Sequence, residues 1–586
     1  MRRLPAHLSL LVAVLATWTA SLHDGFVNFD TPWMVVDNRL LENGLLSAVR
    51  AVLWDMSFAT RHTLGAEYLP VRDLSVLMDL SLWPTGYFEQ HMHNLALYAV
   101  LCALVLELMV VVLGQEPRAW FAAALFALHP IQTETVAWLV GRKDLLAAVF
   151  VVAGVLFWVR SSGRGRGLAL SIGCMLLACW SKNTAVIFPA LLALFVIFGL
   201  VGQRDRRWWL GWLPLLGVVA LVSLTSFAVG QQMGFLAERR GEGVLELLWV
   251  QCWIFSHYLF SFFWPFELSA LYPEPNLPLA FGLVEFLPVA LCAGLCLAIA
   301  GSWQRLPLVA FGLSWFVVAQ LPTSQLVPLQ NIVADRYLFL PSLGLALALA
   351  ALIPVRYSFS KKPLFVLGVL LLVFLAMQSR DRSQVWQDSV ELWADVVVKH
   401  PELGRGHAAL AGALRAAGHE GKASTAIEQG LNRLPGDPLL LQARGLDLMR
   451  KDRAAEAEAA LRRALRADPR LRRAANNLAL LLHREKRSDE ALELARQMAR
   501  THPSYSHGLN TLGTILFDLS DLDGAERVLL SSLDYNPGNT LAICNLGSVM
   551  YRKKRLEQAA GWWTRCLLLQ PDNPTALEGL RHIAPR

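Results

Sequence analysis

The chain has 586 residues, of which 55% are hydrophobic and 17% charged, with a formal net charge of +7. That length exceeds a single soluble domain, and the high hydrophobic share beside so few charges directs attention to long apolar runs. The net charge is modest, and in the apolar part basic residues cluster in short loops between apolar segments, so it calls for no nucleic acid.

Apolar runs of roughly 17–25 residues can each cross a bilayer as a helix, and residues 4–378 contain many of them. The first follows Arg2 and Arg3 and extends to about Ser21. It reads as an anchored helix, with a cleaved signal peptide as the alternative because Ala16 and Ala20 are small. In order, the pattern predicts eleven spans at about 4–22, 91–113, 119–137, 144–160, 168–180, 184–202, 208–229, 283–301, 306–322, 337–354 and 363–378. Cytoplasmic loops carry an excess of Lys and Arg. With the N-terminus inside, the inner loops hold Arg118; Arg160, Arg164 and Arg166; Arg204, Arg206 and Arg207; Arg305; and Arg356, Lys361 and Lys362. The Trp-, Tyr- and Phe-rich segment 247–266 would break this alternation if it crossed, so it reads as an interfacial or re-entrant segment within an outer loop, 230–282. An odd number of spans then places the C-terminal third outside the cytoplasm.

The exceptions to the charge rule fall at outer ends of spans: Arg142, Lys143, Lys182 and Arg336. Near lipid such groups are costly unless paired or functional. Helix-end snorkelling is the plain reading. Four cations on one side also suit an anionic ligand at the outer leaflet, such as a lipid-linked phosphate. The first outer loop, 23–90, opens with FVNFD, so Asp30 stands beside the membrane, placed to act as a base on a lipid-presented substrate.

The last third is periodic. Pro401, Pro435, Pro469, Pro503, Pro537 and Pro571 lie 34 residues apart, as do Ala423, Ala457, Ala491, Ala525 and Ala559. Small residues recur at 411, 445, 479, 513 and 547. This period, with small residues where two helices cross, is that of the tetratricopeptide repeat. The expected fold is therefore all-α: a polytopic membrane helical bundle (1–378), a linker helix (379–400) and an α-solenoid (401–586). The cysteines show neither metal spacing nor a disulfide framework.

One block is too polar for a mere turn: HPIQTETVAWLVGRKD, residues 129–144. It resembles a signature of bacterial membrane proteins with C-terminal tetratricopeptide repeats, which are similar to the transmembrane and tetratricopeptide-repeat O-mannosyltransferases and to the GT-C class of glycosyltransferases. His129, Glu134, Trp138 and the Arg142-Lys143-Asp144 triplet match its centre. FVNFD resembles the first-loop acidic motif, with Asp30-Thr31 where two adjacent acids are usual; Asp73 and Asp79 are later carboxylates in the same loop. SKNTAV at 181–186 has Asn183 in a Glu position. ADRYLFLPSLG at 334–344 resembles a late outer-loop motif carrying Asp335, Arg336 and Tyr337, and Arg382 and Trp386 match the lead-in to the repeats.

The resemblance implies a membrane-bound enzyme of the bacterial inner membrane. It would transfer a mannose-like sugar with inversion, on the extracytoplasmic face, from a polyprenyl-phosphate donor to a protein Ser or Thr hydroxyl. Asp30 would be the catalytic carboxylate. Arg142, Lys143, Lys182 and Arg336 would bind the donor phosphate, supported by His129, Glu134, Trp138, Asp144, Asp335 and Tyr337. Some members of the class use a divalent metal, for which no convincing ligand spacing exists here. The concave groove of a repeat array suits an extended peptide acceptor. The rival reading is a membrane-tethered scaffold with a decayed site, which the missing second acid favours. A transporter fits less well, because no inverted repeat is evident.

Overall fold

The computed structural model describes residues 4–23, 25–29, 38, 40–84, 86–114, 116–201, 206–233, 243–275, 283–354 and 362–583. Every regular element among them is helical. The chain divides into two compact units: Met1–Met56 with Thr60–Lys399, and Ser57–Ala59 with His400–Arg586.

In the first unit, three helical segments among the described residues are long and apolar enough to cross a membrane: Leu4–Leu22, Tyr87–Leu113 and Trp208–Met233. Shorter apolar helices pack around them. Their large side chains, among them Trp158, Phe188, Trp315 and Phe316, share one continuous core with Tyr98 and Phe126. Arg118, expected only to orient an inner loop, also caps a helix. Its Nη2 donates to the Ala351 carbonyl at 2.7 Å, at the end of Phe339–Ala351, where main-chain acceptors lack partners.

Three expectations are corrected. Span 119–137 is not one helix. Helix Glu116–Ala127 stops before His129-Pro130, and short turns Pro130–Gln132, Thr133–Ala137 and Leu139–Gly141 lead into Arg142–Arg160. Pro130 has no N–H and holds His129 extended, at φ −75 and ψ 134, so the helix cannot continue. Span 184–202 is helical only from Asn183 to Ile197, a tight opening turn Asn183–Ile187 passing directly into Phe188–Ile197, so it stops short of residue 202. The linker is not a single helix either. Helix Lys362–Gln384 runs on past residue 378, and after a turn Ser389–Lys399 forms separately, its N-terminus capped by Asp388.

Of segment 247–266, residues 247–263 belong to a continuous helix, Val244–Phe263, and Trp264, Pro265 and Phe266 follow its end. Trp249, Val250, Ile254, Tyr258 and Phe262 are buried on one side of it, and Ser256 donates to the Pro288 carbonyl of a neighbouring helix at 3.2 Å. The loop 23–90 includes helices Leu45–Trp54, Phe58–Thr63 and Pro70–Leu82.

The second unit is a stack of helix pairs, from Gly404–Ala416 with Glu420–Arg433 to Thr540–Arg552 with Leu556–Leu569, followed by Pro574–Ile583. The periodic alanines 423, 457, 491, 525 and 559 are fully buried. A Cβ on Gly445 would lie 2.6 Å from Leu461, and one on Gly513 equally close to Leu529, which is why small residues recur there. A left-handed residue closes the first helix of each pair at 418, 452, 486, 520 and 554, and only the first of these is glycine. The expectation of no disulfide is also corrected: Cys544 and Cys566 are bonded, joining the two helices of the last full repeat. They lie 22 residues apart, on facing turns of a helix pair, a proximity that spacing along the chain does not display.

Candidate active site

The broken segment 128–141 and the turn Asp335–Leu338 bring the motif residues together. Glu134 is buried in a five-residue helix and holds Arg336 twice. One carboxylate oxygen accepts the Arg336 backbone N–H at 2.8 Å, and the other pairs with its guanidinium. Trp138, four residues on, turns to the same place: the Arg336 guanidinium lies 5.4 Å from the Trp138 ring, 5.1 Å from Tyr337 and 6.0 Å from Phe29. An aromatic box therefore surrounds this cation. Burial opposes the guanidinium charge, but Glu134 outweighs it and holds Arg336 firmly protonated. The remaining guanidinium nitrogens make no hydrogen bond among the described residues.

Lys182 pairs with Asp144 and sits 5.6 Å from the Tyr337 ring. Burial lowers its pKa, with Asp144 opposing that shift. Arg336, Tyr337, Lys182, Asp144, Thr184 and Thr323 line one cleft. Asp144 Oδ2 and Asn183 Oδ1 are buried without a hydrogen-bond partner among the described residues.

The other two cations go elsewhere. Arg142 is buried in a polar nest. It pairs with Asp79 and donates to Asn94 Oδ1 at 2.7 Å and to the Gln90 carbonyl at 2.9 Å, while His93 contacts the same Asp79 at 2.8 Å. Lys143 faces Glu67 at 3.5 Å, and Glu67 also accepts from Arg72 at 3.2 Å. Burial alone would raise the Glu67 pKa, but Lys143 and Arg72 hold it below the usual range. Asp73 is paired with Arg72 at 2.6 Å, yet burial pushes it up to about 6. All four cations thus face a carboxylate, which keeps a buried cluster near neutrality.

His129 supports the frame rather than the cations. Its Nδ1 accepts from the Ile131 N–H at 3.1 Å, so its Nε2 donates to the Phe262 carbonyl at 2.9 Å. Asp335 accepts from the Tyr272 hydroxyl at 2.5 Å; burial, and then Glu134, push it up to about 7. Arg382 pairs with Asp395 at 2.6 Å. Asp30 and Thr31 lie outside the described residues. Among those described, no group of three His, Cys, Asp or Glu side chains gathers as metal ligands do.

Sequence reasoning missed Glu67, Asn94, Gln90 and His93. The last three had a signal: polar residues at the N-terminal end of a long apolar helix ask for buried partners. Glu67 had none, because its partner Lys143 is 76 residues away.

The tetratricopeptide repeat model matches residues 443–506. Protein O-mannosyl-transferase TMTC3 of Homo sapiens is 26% identical over 199 residues, which cover 33% of this chain and 21% of that protein. Protein O-mannosyl-transferase Tmtc2 of Drosophila melanogaster is 36% identical over 145 residues, covering 23% of this chain and 15% of that one. The chain resembles the TMTC proteins. It spans about a fifth of the length of the human relative. Among solved structures, the tetratricopeptide-repeat protein YrrB, described as having an unusual peptide-binding site, is 19% identical, with a TM-score of 0.26 over 33% of this chain and 99% of that one.

Proposed function

We propose that this chain is a membrane glycosyltransferase that moves a mannose-like sugar from a polyprenyl-phosphate carrier to a protein hydroxyl, on the extracytoplasmic face. The observation that carries this reading is the cleft where Arg336 and Lys182 stand beside Tyr337, together with the name that the relatives bear. In the reaction the acceptor oxygen attacks the anomeric carbon from the face opposite the phosphate. The carbon–oxygen bond to phosphate breaks with inversion, the lipid phosphate departs with the bonding electron pair, and the hydroxyl proton passes to Asp30. Arg336, locked by Glu134, keeps donors for the departing oxygens, and a fixed cation in a low-dielectric site lowers the barrier without rearrangement. Lys182 supplies a second positive charge. Arg142, Lys143, Asp144, Asp335 and His129 shape the frame around them.

The orientation of the repeats is part of the same proposal. A disulfide in the array favours an oxidising compartment, in agreement with the charge alternation. Eleven spans and an uncrossed segment 247–266 complete it: single cysteines at Gly241 and Leu277 would both label from outside with an impermeant reagent, and labelling from opposite sides would refute the topology.

The second reading, a scaffold without catalysis, is favoured by the carboxylate facing every cation. Transfer of labelled mannose from polyprenyl-phosphate-mannose by purified protein, with Asp30→Asn compared, decides between them. The enzyme reading expects transfer in the natural chain and a loss of about 10²–10⁴-fold in the variant. Equal transfer by both would mean that Asp30 is not the base, and no transfer by either would leave the scaffold.

A further inference from the structure

The residue before Asp30 is held by the helix that leads into the repeats. Phe29 is buried. Its ring centroid lies 5.2 Å from Trp138, 5.8 Å from Trp393 and 6.1 Å from Trp386. Trp138 Nε1 donates to the Phe29 carbonyl at 2.8 Å. The same short stretch is tied by its main chain: the Gly25 N–H donates to the Gln387 carbonyl at 2.7 Å, and the Asn28 N–H donates to Ser389 Oγ at 2.8 Å. Finally, Trp393 Nε1 donates to Asn28 Oδ1 at 2.5 Å. The other side of this clamp is also fastened. Asp395 pairs with Arg382 and with Lys399 at 2.8 Å, and Lys399 donates to the Leu268 carbonyl at 2.6 Å.

Residues 386–393 therefore hold residues 25–29 through three hydrogen bonds and two ring contacts. That effort is more than a connection between two parts requires. Its product is a fixed Phe29, and Phe29 is one wall of the aromatic box around Arg336. Trp386 adds a second clue. Its ring packs on Trp138 as well as on Phe29, and its Nε1 is buried without a partner among the described residues, which is a cost unless packing of the indole matters more.

We propose that Trp393 is a positioning residue: through Asn28 and Phe29 it sets the angle at which Arg336 meets the leaving phosphate. This rests on the transferase reading above. The linker helix Ser389–Lys399 is then part of the catalytic body, not a spacer. Arg336 has Glu134 to fix one edge of its guanidinium, and the Phe29 ring lies 6.0 Å from it. A shift of about 1 Å in such a group is enough to lower turnover by about a hundredfold.

The test uses the full-length chain in detergent or nanodiscs with 4-fluorophenylalanine at position 29. Its fluorine shift reports where that ring lies among the indoles. Asn28→Ala removes the acceptor of the Trp393 N–H without altering any ring, and Trp393→Phe removes the donor while keeping an aromatic side chain. The expected results are a displaced fluorine signal in Asn28→Ala, a kcat lowered about tenfold or more in both variants with donor KM changed by less than about twofold, and no further loss in the double variant, because both substitutions break one bond. An unmoved fluorine signal in Asn28→Ala would overturn the proposal, as would additive losses or an unchanged kcat. A merely structural role predicts lower yield or melting temperature with normal turnover per folded molecule, and that result also decides against it. If the signal moves but the natural chain transfers no sugar, the clamp stands and the transferase reading falls.

Discussion

The two units of the molecule place their charged residues in opposite ways. In the repeats, ion pairs run over the surface: Arg453 with Glu456, Arg487 with Glu490, Arg462 with Glu458. In the membrane body, Arg142 with Asp79, Arg336 with Glu134 and Lys182 with Asp144 are nearly all enclosed. Exposed pairs gain little, because water screens the attraction and two flexible side chains must be ordered. Enclosed pairs gain little as wholes but cost much when broken, since one charge is left buried alone. The same chemistry thus serves solubility in one unit and geometry in the other.

The largest expected effect tests whether Arg142 is frame or site. Its nest of Asp79, Asn94 and Gln90 predicts that Arg142→Ala loses about 3–5 kcal/mol and much of its folded yield, the cost of stranding a buried carboxylate. The surface substitution Arg453→Ala leaves the melting midpoint where it was. A well-folded Arg142→Ala protein with weakened donor binding would instead return this residue to the phosphate.

Arg336→Lys sharpens the contrast within the body. Lysine keeps the charge but cannot hold Glu134 and phosphate oxygens through one planar fork. Transfer should fall about a hundredfold, with the melting midpoint little changed. Unchanged transfer by the Lys variant would leave Arg336 as a structural partner of Glu134.

A smaller effect concerns pH. Asp335 titrates near 7 in the folded chain, against an ordinary value of 3.8. Between these values the folded chain keeps a proton that the unfolded chain has released, so stability falls as pH rises through that window. Melting midpoints at pH 5 and 7.5 should show this decline, and Asp335→Asn should flatten it. An equal slope in the variant would assign the dependence to Asp73 or another group.

The smallest lies in the array. Lys486 takes the left-handed conformation, φ 61, at a turn where the first repeat has Gly418. Lys486→Gly should relieve that strain and stabilise the array by about 1 kcal/mol, read from chemical denaturation. A destabilised variant would show that the flexibility gained in the unfolded chain outweighs the relief.

The repeats were legible because each unit makes the same local contacts. A 34-residue period copies one packing solution along the chain, so small residues and prolines mark it without any knowledge of distant neighbours. Only the disulfide escaped, since no other repeat has one among the described residues. The body was legible in part. Hydropathy marked apolar segments, and polar residues stranded among them, such as Glu134 and Arg336, marked the site's neighbourhood. The helix end at Pro130 was written in the sequence, though an apolar run conceals a break when both sides are equally greasy.

What the sequence determined by itself was the class of each segment: period, hydropathy and the residue types that carry charge near lipid. Tertiary structure alone decided which carboxylate meets which cation. Glu134 and Arg336 are 202 positions apart, and Asn28 and Trp393 are 365 apart. Local propensity says nothing about such pairs. They form because a buried charge or donor must find a partner somewhere, and only the packing of the helices determines where.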